Sequence, residues 1–157
     1  MYASDLQRAF QTAEIIAAHV GLEPVPINGL REIYLGEWEG LRTEEITDRY
    51  PAAWTQWVEE PDWDVIPGGE SAVAFGERVA AALDEILERH QHGDVLVVTH
   101  GGVIQVALHR VVGRESKGLF PFRIHNASIS LIEQRNGRFV IAGVNDIAHL
   151  EAIHRDP

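Results

Sequence analysis

The hydrophobic pattern of the chain predicts several helices, each with one buried face. Five stretches are predicted to be helical, and outside 43–49 apolar residues recur in them every three or four positions, which is typical of amphipathic helices. These stretches are 6–20, 43–49, a segment opened by Pro51, 71–87 and 103–112. The predicted buried residues are Leu6, Phe10, Ala13, Ala17 and Val20 in the first, and Phe75, Val79, Leu83, Ile86 and Leu87 in the fourth.

Polar residues and glycine mark the ends of two of these helices. Ser4 and Gln7 have the spacing of a capping box, in which each side chain satisfies a free amide at a helix start. Gly21 ends the first helix, and Ser71 caps the start of the fourth. Trp54 and Trp57, on the helix opened by Pro51, are expected to pack against the core rather than bind a ligand.

Short strands and loops fill the rest of the chain. The run 95–98 is aliphatic without alternation, which indicates a buried parallel strand. Asn136–Gly137 between two strand-like runs is a strong hairpin signal. The other predicted strands are 1–3, 25–27, 128–133 and 138–144, the loops are 29–40, 62–69 and 113–122, and the tail is 148–157. This order of elements predicts an α/β sandwich.

Composition places the chain among single-domain proteins. Its 157 residues are 45% hydrophobic, which suits one domain over 1–157. The sequence has no apolar run of membrane length and no signal-peptide pattern, so we expect a cytoplasmic protein. The 24 acidic and 13 basic residues give a formal charge of −11, which repels nucleic acid and anionic membranes. A phosphorylated ligand would therefore need a local basic pocket.

Several kinds of chemistry are excluded or disfavoured by residue type. The sequence has no cysteine, which excludes disulfides, thiolate metal sites and a cysteine nucleophile. His90 and His92 lie near each other, but they have no carboxylate partner to complete a metal site. We therefore expect neither a metal nor another cofactor.

The candidate site centres on His100, at the carboxyl end of the 95–98 strand. Gly101–Gly102 follows and a helix begins there, so His100 lies where α/β sheets bind ligands and where a helix amino terminus favours anions. Arg8 lies in the first turn of the first helix, where a cation opposes the helix dipole. A surface arginine is the usual explanation, but an arginine that helps the helix amino terminus to bind an anion explains this placement better.

Four segments of the chain together resemble the histidine phosphatase superfamily, also called phosphoglycerate mutase-like. Each motif alone is weak, and the ordered set is specific. The segments are Ser4-Asp5-Leu6-Gln7-Arg8-Ala9 with Thr12-Ala13-Glu14, Leu30-Arg31-Glu32-Ile33 with Gly36-Glu37-Trp38-Glu39-Gly40, Pro67-Gly68-Gly69-Glu70-Ser71, and Val98-Thr99-His100-Gly101-Gly102. The resemblance spans Tyr2 to about Leu150, and it implies a three-layer α/β/α sandwich of the phosphoglycerate mutase type.

The resemblance implies a metal-free mechanism through a phosphohistidine. Carried over by position, Arg8 would bind the phosphoryl group, Glu32 would act as general acid or base, and His100 would hydrogen-bond the phosphoryl oxygens. Further contacts in the site are expected from Glu37, Glu39, Ser71 and Asn126. The alternative role for Glu32 is a salt bridge to Arg31 or Arg8. The expected partner is a phosphorylated small molecule.

The sequence departs from the family at its start. Family members open with a buried strand ending in Arg-His-Gly, whose histidine is the nucleophile, and this sequence begins after that point. In the family that strand lies between the one ending at His100 and the one near Ser128. Its buried aliphatic residues would contribute roughly 1.5–3 kcal/mol each, a large share of a domain's net stability of about 5–15 kcal/mol. The expected outcomes are closure of the gap, filling by another chain through dimerisation or strand exchange, or N-terminal truncation of a longer protein.

Phosphatase is the preferred function. The segment between Trp38 and Gly69 is short for a mutase, and the segment 67–71 resembles the phosphatase branches of the family. We predict that the full-length form hydrolyses phosphomonoesters. This chain alone is expected to be inactive, since losing a nucleophile costs on the order of a millionfold in rate. The alternatives are a phosphoglycerate mutase and a non-catalytic module that binds a phosphorylated ligand or a protein.

Overall fold

The α/β fold predicted from the sequence is confirmed by the computed structural model, which describes residues 1–151. The strands are β1 (Tyr2–Ser4), β2 (Val25–Ile27), β3 (Val97–Val98), β4 (Ile129–Arg135) and β5 (Arg138–Asp146). The helices are α1 (Gln7–Val20), α2 (Thr43–Arg49), α3 (Pro51–Glu59), α4 (Ala72–Arg89), α5 (Gly101–Val111) and α6 (Ala148–Glu151). Short 3₁₀ turns at Asn28–Leu30, Gly36–Trp38 and Trp63–Val65 give shape to the predicted loops.

The strands form two separate sheets. β1 is central in a parallel sheet of order β2-β1-β3, in which Tyr2 is in register with both Val25 and Val97. β4 and β5 form the predicted antiparallel hairpin. Asn136 and Gly137 at its turn both have positive φ, 52° and 75°, as a two-residue turn matching the strand twist requires.

The predicted buried strand at 95–98 is only partly confirmed. Only Val97–Val98 forms a strand, both residues are half-buried, and Leu96 is 41% exposed. Within residues 1–151, β3 pairs only with β1 and β4 only with β5. The strands on either side of the predicted gap therefore do not close over it, and β3 stays short because a ladder forms along one of its sides alone.

The main core lies between the loop after β2, helix α4 and helix α5. Phe75 and Val79 of α4 are fully buried against Leu30 of that loop and Val103 of α5. Four tryptophans extend this core with ring centroids 5.1–6.0 Å apart: Trp38, Trp54, Trp57 and Trp63. The packing role predicted for Trp54 and Trp57 is confirmed.

The predicted capping box at the start of α1 is wrong. Leu6 occupies the cap position without a side-chain hydrogen bond, and Gln7 is the first helical residue. Ser4 instead ends β1, is completely buried, and directs its hydroxyl towards His100. Gly21 does end the helix, in the left-handed conformation with φ 68°. The capping pattern failed because Ser4 has a partner distant in sequence.

The predicted buried faces of α1 and α4 are correct in part. The buried residues of α1 are Ala9, Ala13 and Ala17, whereas Leu6 and Phe10 are half-buried and Val20 is 55% exposed. In α4, Ser71 caps the helix by accepting from the Ala74 amide, and Phe75, Val79 and Ile86 are buried. Leu83 is half-buried and Leu87 is 37% exposed, because the buried face shifts towards Ala82 and Ile86 near the helix end.

The end of the described chain is more regular than predicted. Residues 148–151 form α6, whose first amide, of Ala148, donates to the Asp146 carboxylate at 2.9 Å. The remainder of the predicted tail, 152–157, lies outside the described residues. None of the helices in residues 1–151 has the length and apolar character needed to cross a membrane.

Candidate active site

His100 lies at the amino terminus of α5, directly after β3. Because β1 and β3 are parallel and Ala3 pairs with Val98, their carboxyl ends bring Ser4 and His100 together. His100 is 9% exposed, and its Nε2 lies 2.8 Å from the Ser4 hydroxyl oxygen. Burial, followed by the nearby charge of Arg8, lowers the pKa of His100 to about 4. The imidazole is therefore neutral at neutral pH.

Glu32 lies on the loop after β2 and contacts the same helix terminus. Its Oε2 accepts a hydrogen bond from the Gly102 amide at 3.1 Å, and its Oε1 accepts one from the Ile33 amide at 3.1 Å. Burial raises the pKa of the Glu32 carboxyl, although these amides and the charge of Arg8 oppose the rise. The carboxyl is thus held where it can be protonated closer to neutral pH than an exposed glutamate.

The predicted alternative of a salt bridge at Glu32 is wrong. Arg31 pairs instead with Asp5, through hydrogen bonds of 2.7 and 2.6 Å. The ion pairs among the described residues include neither Glu32 nor Arg8. Glu32 is therefore available for chemistry.

Gly102 lies directly against the Glu32 carboxyl. A Cβ atom on Gly102 would lie 2.3 Å from Oε1 of Glu32 and 3.3 Å from the ring of Phe75. A Cβ on Gly101 would meet nothing within 4 Å. The two adjacent glycines therefore differ in purpose: Gly102 makes room for the carboxyl.

Arg8 supplies an uncompensated positive charge beside these two residues. Its exposed side chain projects from the first turn of α1. The charge of Arg8 acts to lower the pKa of both His100 and Glu32, which places the three residues together. The first turns of α1 and α5 carry no acidic residue. Two helix amino termini and a free arginine favour an anion at this position.

The four further predicted contacts are not joined to these residues by any hydrogen bond within residues 1–151. Glu37 is exposed beside Tyr50 and raises the pKa of that phenol. Glu39 accepts from the Leu35 amide at 3.0 Å, and Ser71 is the cap of α4. Asn126 is exposed. Their contact with a substrate stays a prediction.

Two neighbours of the site were missed from the sequence. Ser4 was assigned to a helix cap, and only the pairing of β1 with β3 places its hydroxyl against His100. Arg78, on α4, lies close enough for its charge to lower the pKa of Glu32 against the effect of burial. Its partner Glu70 precedes the first residue of α4, so no helical spacing in the sequence linked the two residues. In the described part of the chain, no group of three or more His, Cys, Asp or Glu side chains is arranged to hold a metal ion.

Comparison with known proteins identifies the family of this chain. The model of the histidine phosphatase superfamily (branch 1) matches residues 1–147. The chain belongs to this superfamily. Its three-layer α/β/α architecture is accordingly of the phosphoglycerate mutase type, as solved structures of the family also show.

Individual relatives are similar over almost all of this chain. Phosphoserine phosphatase 1 of Hydrogenobacter thermophilus is 34% identical over 96% of this chain and 71% of its own length. Phosphoglycerate mutase-like protein 4 of Arabidopsis thaliana is 36% identical over 96% of this chain and 66% of its own length. The solved structure of Bacillus stearothermophilus YhfR superposes with a TM-score of 0.83 at 30% identity, covering 95% of this chain and 74% of that protein. The chain thus spans roughly two thirds to three quarters of these relatives' length.

Proposed function

We propose that this chain supplies the phosphoryl-binding and acid–base groups of a metal-independent phosphomonoester hydrolase. The observation that carries the proposal is the meeting of three residues at the start of α5: the neutral His100, the half-buried Glu32, and Arg8, which has no ion-pair partner among the described residues. Phosphoryl transfer depends mainly on positioning and on stabilising charge at the phosphoryl oxygens. Arg8, the imidazole of His100 and the α5 amino terminus provide this stabilisation.

Glu32 is the proposed general acid and base. When the phosphorus–oxygen bond of the ester breaks, its carboxyl gives a proton to the leaving oxygen, and its carboxylate later takes a proton from the attacking water. One group serves both steps because the second step reverses the proton transfer of the first. A raised pKa suits this role, since a carboxyl that is always ionised has no proton to give.

The phosphoryl group is proposed to pass through a phosphohistidine, as family resemblance implies. His100 is the partner of the phosphoryl oxygens in this scheme, and its Nε2 is already occupied by the Ser4 hydroxyl. Among the described residues no second histidine is hydrogen-bonded to His100, and the nucleophilic histidine is proposed to come from outside residues 1–151. The chain on its own is accordingly proposed to be inactive.

Small phosphomonoesters are the proposed substrate class. The name of the Hydrogenobacter thermophilus relative supports phosphoserine as the first compound to test. The name of the Arabidopsis thaliana relative supports phosphoglycerate mutase activity as the second candidate. The net charge of −11 favours small ligands, because a larger anion would extend beyond the basic site into the repulsive field.

A hydrolysis assay with a matched binding assay tests the proposal. We expect this chain to bind inorganic phosphate and to hydrolyse p-nitrophenyl phosphate and phosphoserine no faster than buffer. The same residues within a longer form that carries an Arg-His-Gly strand should hydrolyse both esters, and Glu32→Gln should abolish that activity. Turnover by this chain that His100→Ala removes would contradict the proposed nucleophile. Phosphate binding without turnover in either form would favour the non-catalytic module.

A further inference from the structure

Arg78 holds the loop that carries Glu32 at the part that precedes this residue in the sequence. The Nη1 group of Arg78 donates to the carbonyl oxygens of Gly29 and Arg31, each at 3.0 Å. Arg31 immediately precedes Glu32 in the sequence, and Gly29 lies three residues before it. One guanidinium nitrogen therefore fixes the backbone that leads into the carboxylate-bearing residue.

Glu70 holds the same loop at the part that follows Glu32 in the sequence. The Glu70 amide donates to the carbonyl of Tyr34 at 2.8 Å, and the Glu70 carboxylate accepts from the Tyr34 amide at 3.4 Å. Glu70 also receives a two-pronged ion pair from Arg78, with Nε to Oε1 at 2.9 Å and Nη2 to Oε2 at 2.7 Å. Glu32 thus lies between two points of attachment that are joined to each other.

The position of this ion pair makes it stronger than an ordinary surface pair. The side chains of Arg78 and Glu70 are 28% and 18% exposed, and the guanidinium lies 5.1 Å from the centroid of Phe75. Partial removal from water strengthens charge-assisted hydrogen bonds, and the planar fork of arginine matches a carboxylate as lysine does not. Arg78 binds the Glu70 carboxylate with Nε and Nη2, and it donates from Nη1 to the loop carbonyls at the same time.

We propose that Arg78 and Glu70 form a clamp that positions the Glu32 carboxylate against the Gly102 amide. Both act through Glu32, so they are positioning residues, and their importance for activity rests on the proposed function of Glu32. Without the clamp, the loop loses its hydrogen bonds to Arg78 before Glu32 and to the Glu70 carboxylate after it, which loosens the 3.1 Å hydrogen bond between the Glu32 carboxylate and the Gly102 amide.

The amide of Gly102 reports directly on this contact. Its ¹H and ¹⁵N chemical shifts in the intact chain should follow the protonation of Glu32 as pH is varied, because that carboxylate accepts its hydrogen bond. Arg78→Lys and Glu70→Gln each change the shape of the side chain only modestly. In both variants we expect the pH response of the Gly102 amide to be lost, while the chemical shifts of other amides stay unchanged. Arg78→Met should behave in the same way, and the two milder variants carry the test if it does not fold.

Arg110→Met is the matched control. Arg110 also joins two elements, with hydrogen bonds from α5 to the Asp84 carboxylate at 2.5 Å and the Ala80 carbonyl at 3.1 Å on α4, and neither partner is a residue of the site. Its removal should leave the Gly102 response intact. A wild-type response in folded Arg78→Lys and Glu70→Gln would overturn the clamp. The experiment needs no phosphate, so failure of the proposed function would appear separately, as absence of phosphate binding by the wild-type chain.

Discussion

At the scale of single residues, burial has opposite effects on the protonation of the two titratable groups of the site. It lowers the pKa of His100 and raises that of Glu32, because a low-dielectric surrounding disfavours the charged form of each. Both groups are therefore driven towards neutrality. Arg8 is left as the cation of the site, and the anion affinity depends on it.

Replacing Arg8 with alanine should weaken phosphate binding strongly. Hydrogen bonds to charged groups contribute about 1.5–3 kcal/mol, which corresponds to a loss of affinity of roughly tenfold to a hundredfold. Isothermal titration of phosphate into the two proteins measures this. Arg42→Ala is the control, since that side chain is 84% exposed and pairs only with Glu45. Equal losses in both variants would show that net charge, rather than this site, governs binding.

His100 should make the folded chain sensitive to mild acid. In the unfolded chain it takes up a proton near the ordinary value of 6.5, and in the folded chain only near 4. Between these values the unfolded state binds more protons, so lowering the pH favours unfolding. The contribution of neutral His100 to the free energy of unfolding is complete above the pKa of the unfolded chain. It falls by roughly 2–3 kcal/mol as the pH reaches the pKa of the folded chain.

Urea unfolding of wild type and His100→Gln at neutral pH and at the acid end of this range isolates the effect. The wild type should lose more free energy of unfolding than the variant, because the glutamine has no proton to gain. A parallel titration of the imidazole by NMR should give a pKa near 4. Equal acid sensitivity of both proteins would show that other groups determine it.

At the scale of elements, the site depends on how closely the start of α5 approaches the Glu32 loop. Gly102→Ala places a methyl group 2.3 Å from Oε1 of Glu32, and the flexible carboxyl is what must move. We expect the Glu32 pKa to fall towards its ordinary value as the carboxyl moves into water, with a small change in folding stability. Carboxyl ¹³C NMR measures this pKa. Gly101→Ala, with nothing within 4 Å, should leave it unchanged.

The sequence predicted local features well and contacts between distant segments poorly. The Asn136–Gly137 hairpin, the Gly21 helix end and the Ser71 cap each depend on a few neighbouring residues, and all three are present. Arg8, Glu32 and His100 were predicted as site residues because their motifs occur in a recognisable order. The role of Ser4 depends on the pairing of β1 with β3, and local spacing instead indicated a helix cap.

The same limit explains why the proposed Arg78–Glu70 clamp was not predicted from the sequence. Arg78 and Glu70 interact with a loop more than thirty residues earlier in the chain, through carbonyl oxygens that every residue has. No residue type in that loop marks it as a partner for arginine. Contacts of this kind become visible only when the backbone is in place.

At the scale of the whole molecule, the two sheets leave edges without partners. β3 and β4 each pair on one side only within residues 1–151, and no residue of the β4–β5 hairpin is buried. Ile129 and Leu131 on β4 are 57% and 50% exposed. Unpaired strand edges with exposed apolar side chains are templates for pairing with another chain.

We therefore expect this chain to self-associate through strand pairing at these edges. Sedimentation velocity over a range of protein concentrations should show a concentration-dependent dimer or larger species. Leu131→Lys should weaken the association by placing a charge on the edge strand. Val73→Lys, at a residue of α4 that is 62% exposed, is the control for surface charge. A monomer at every concentration would contradict the prediction.

The measurement that tests the central claim most directly is a titration of the ¹⁵N-labelled chain with inorganic phosphate, followed by NMR. The account predicts that the largest shifts fall on the amides of Arg8, His100, Gly101 and Gly102, at the starts of α1 and α5. Shifts confined to other basic residues, such as Arg42 or Arg123, or no saturable shifts at all, would contradict the assignment of this site.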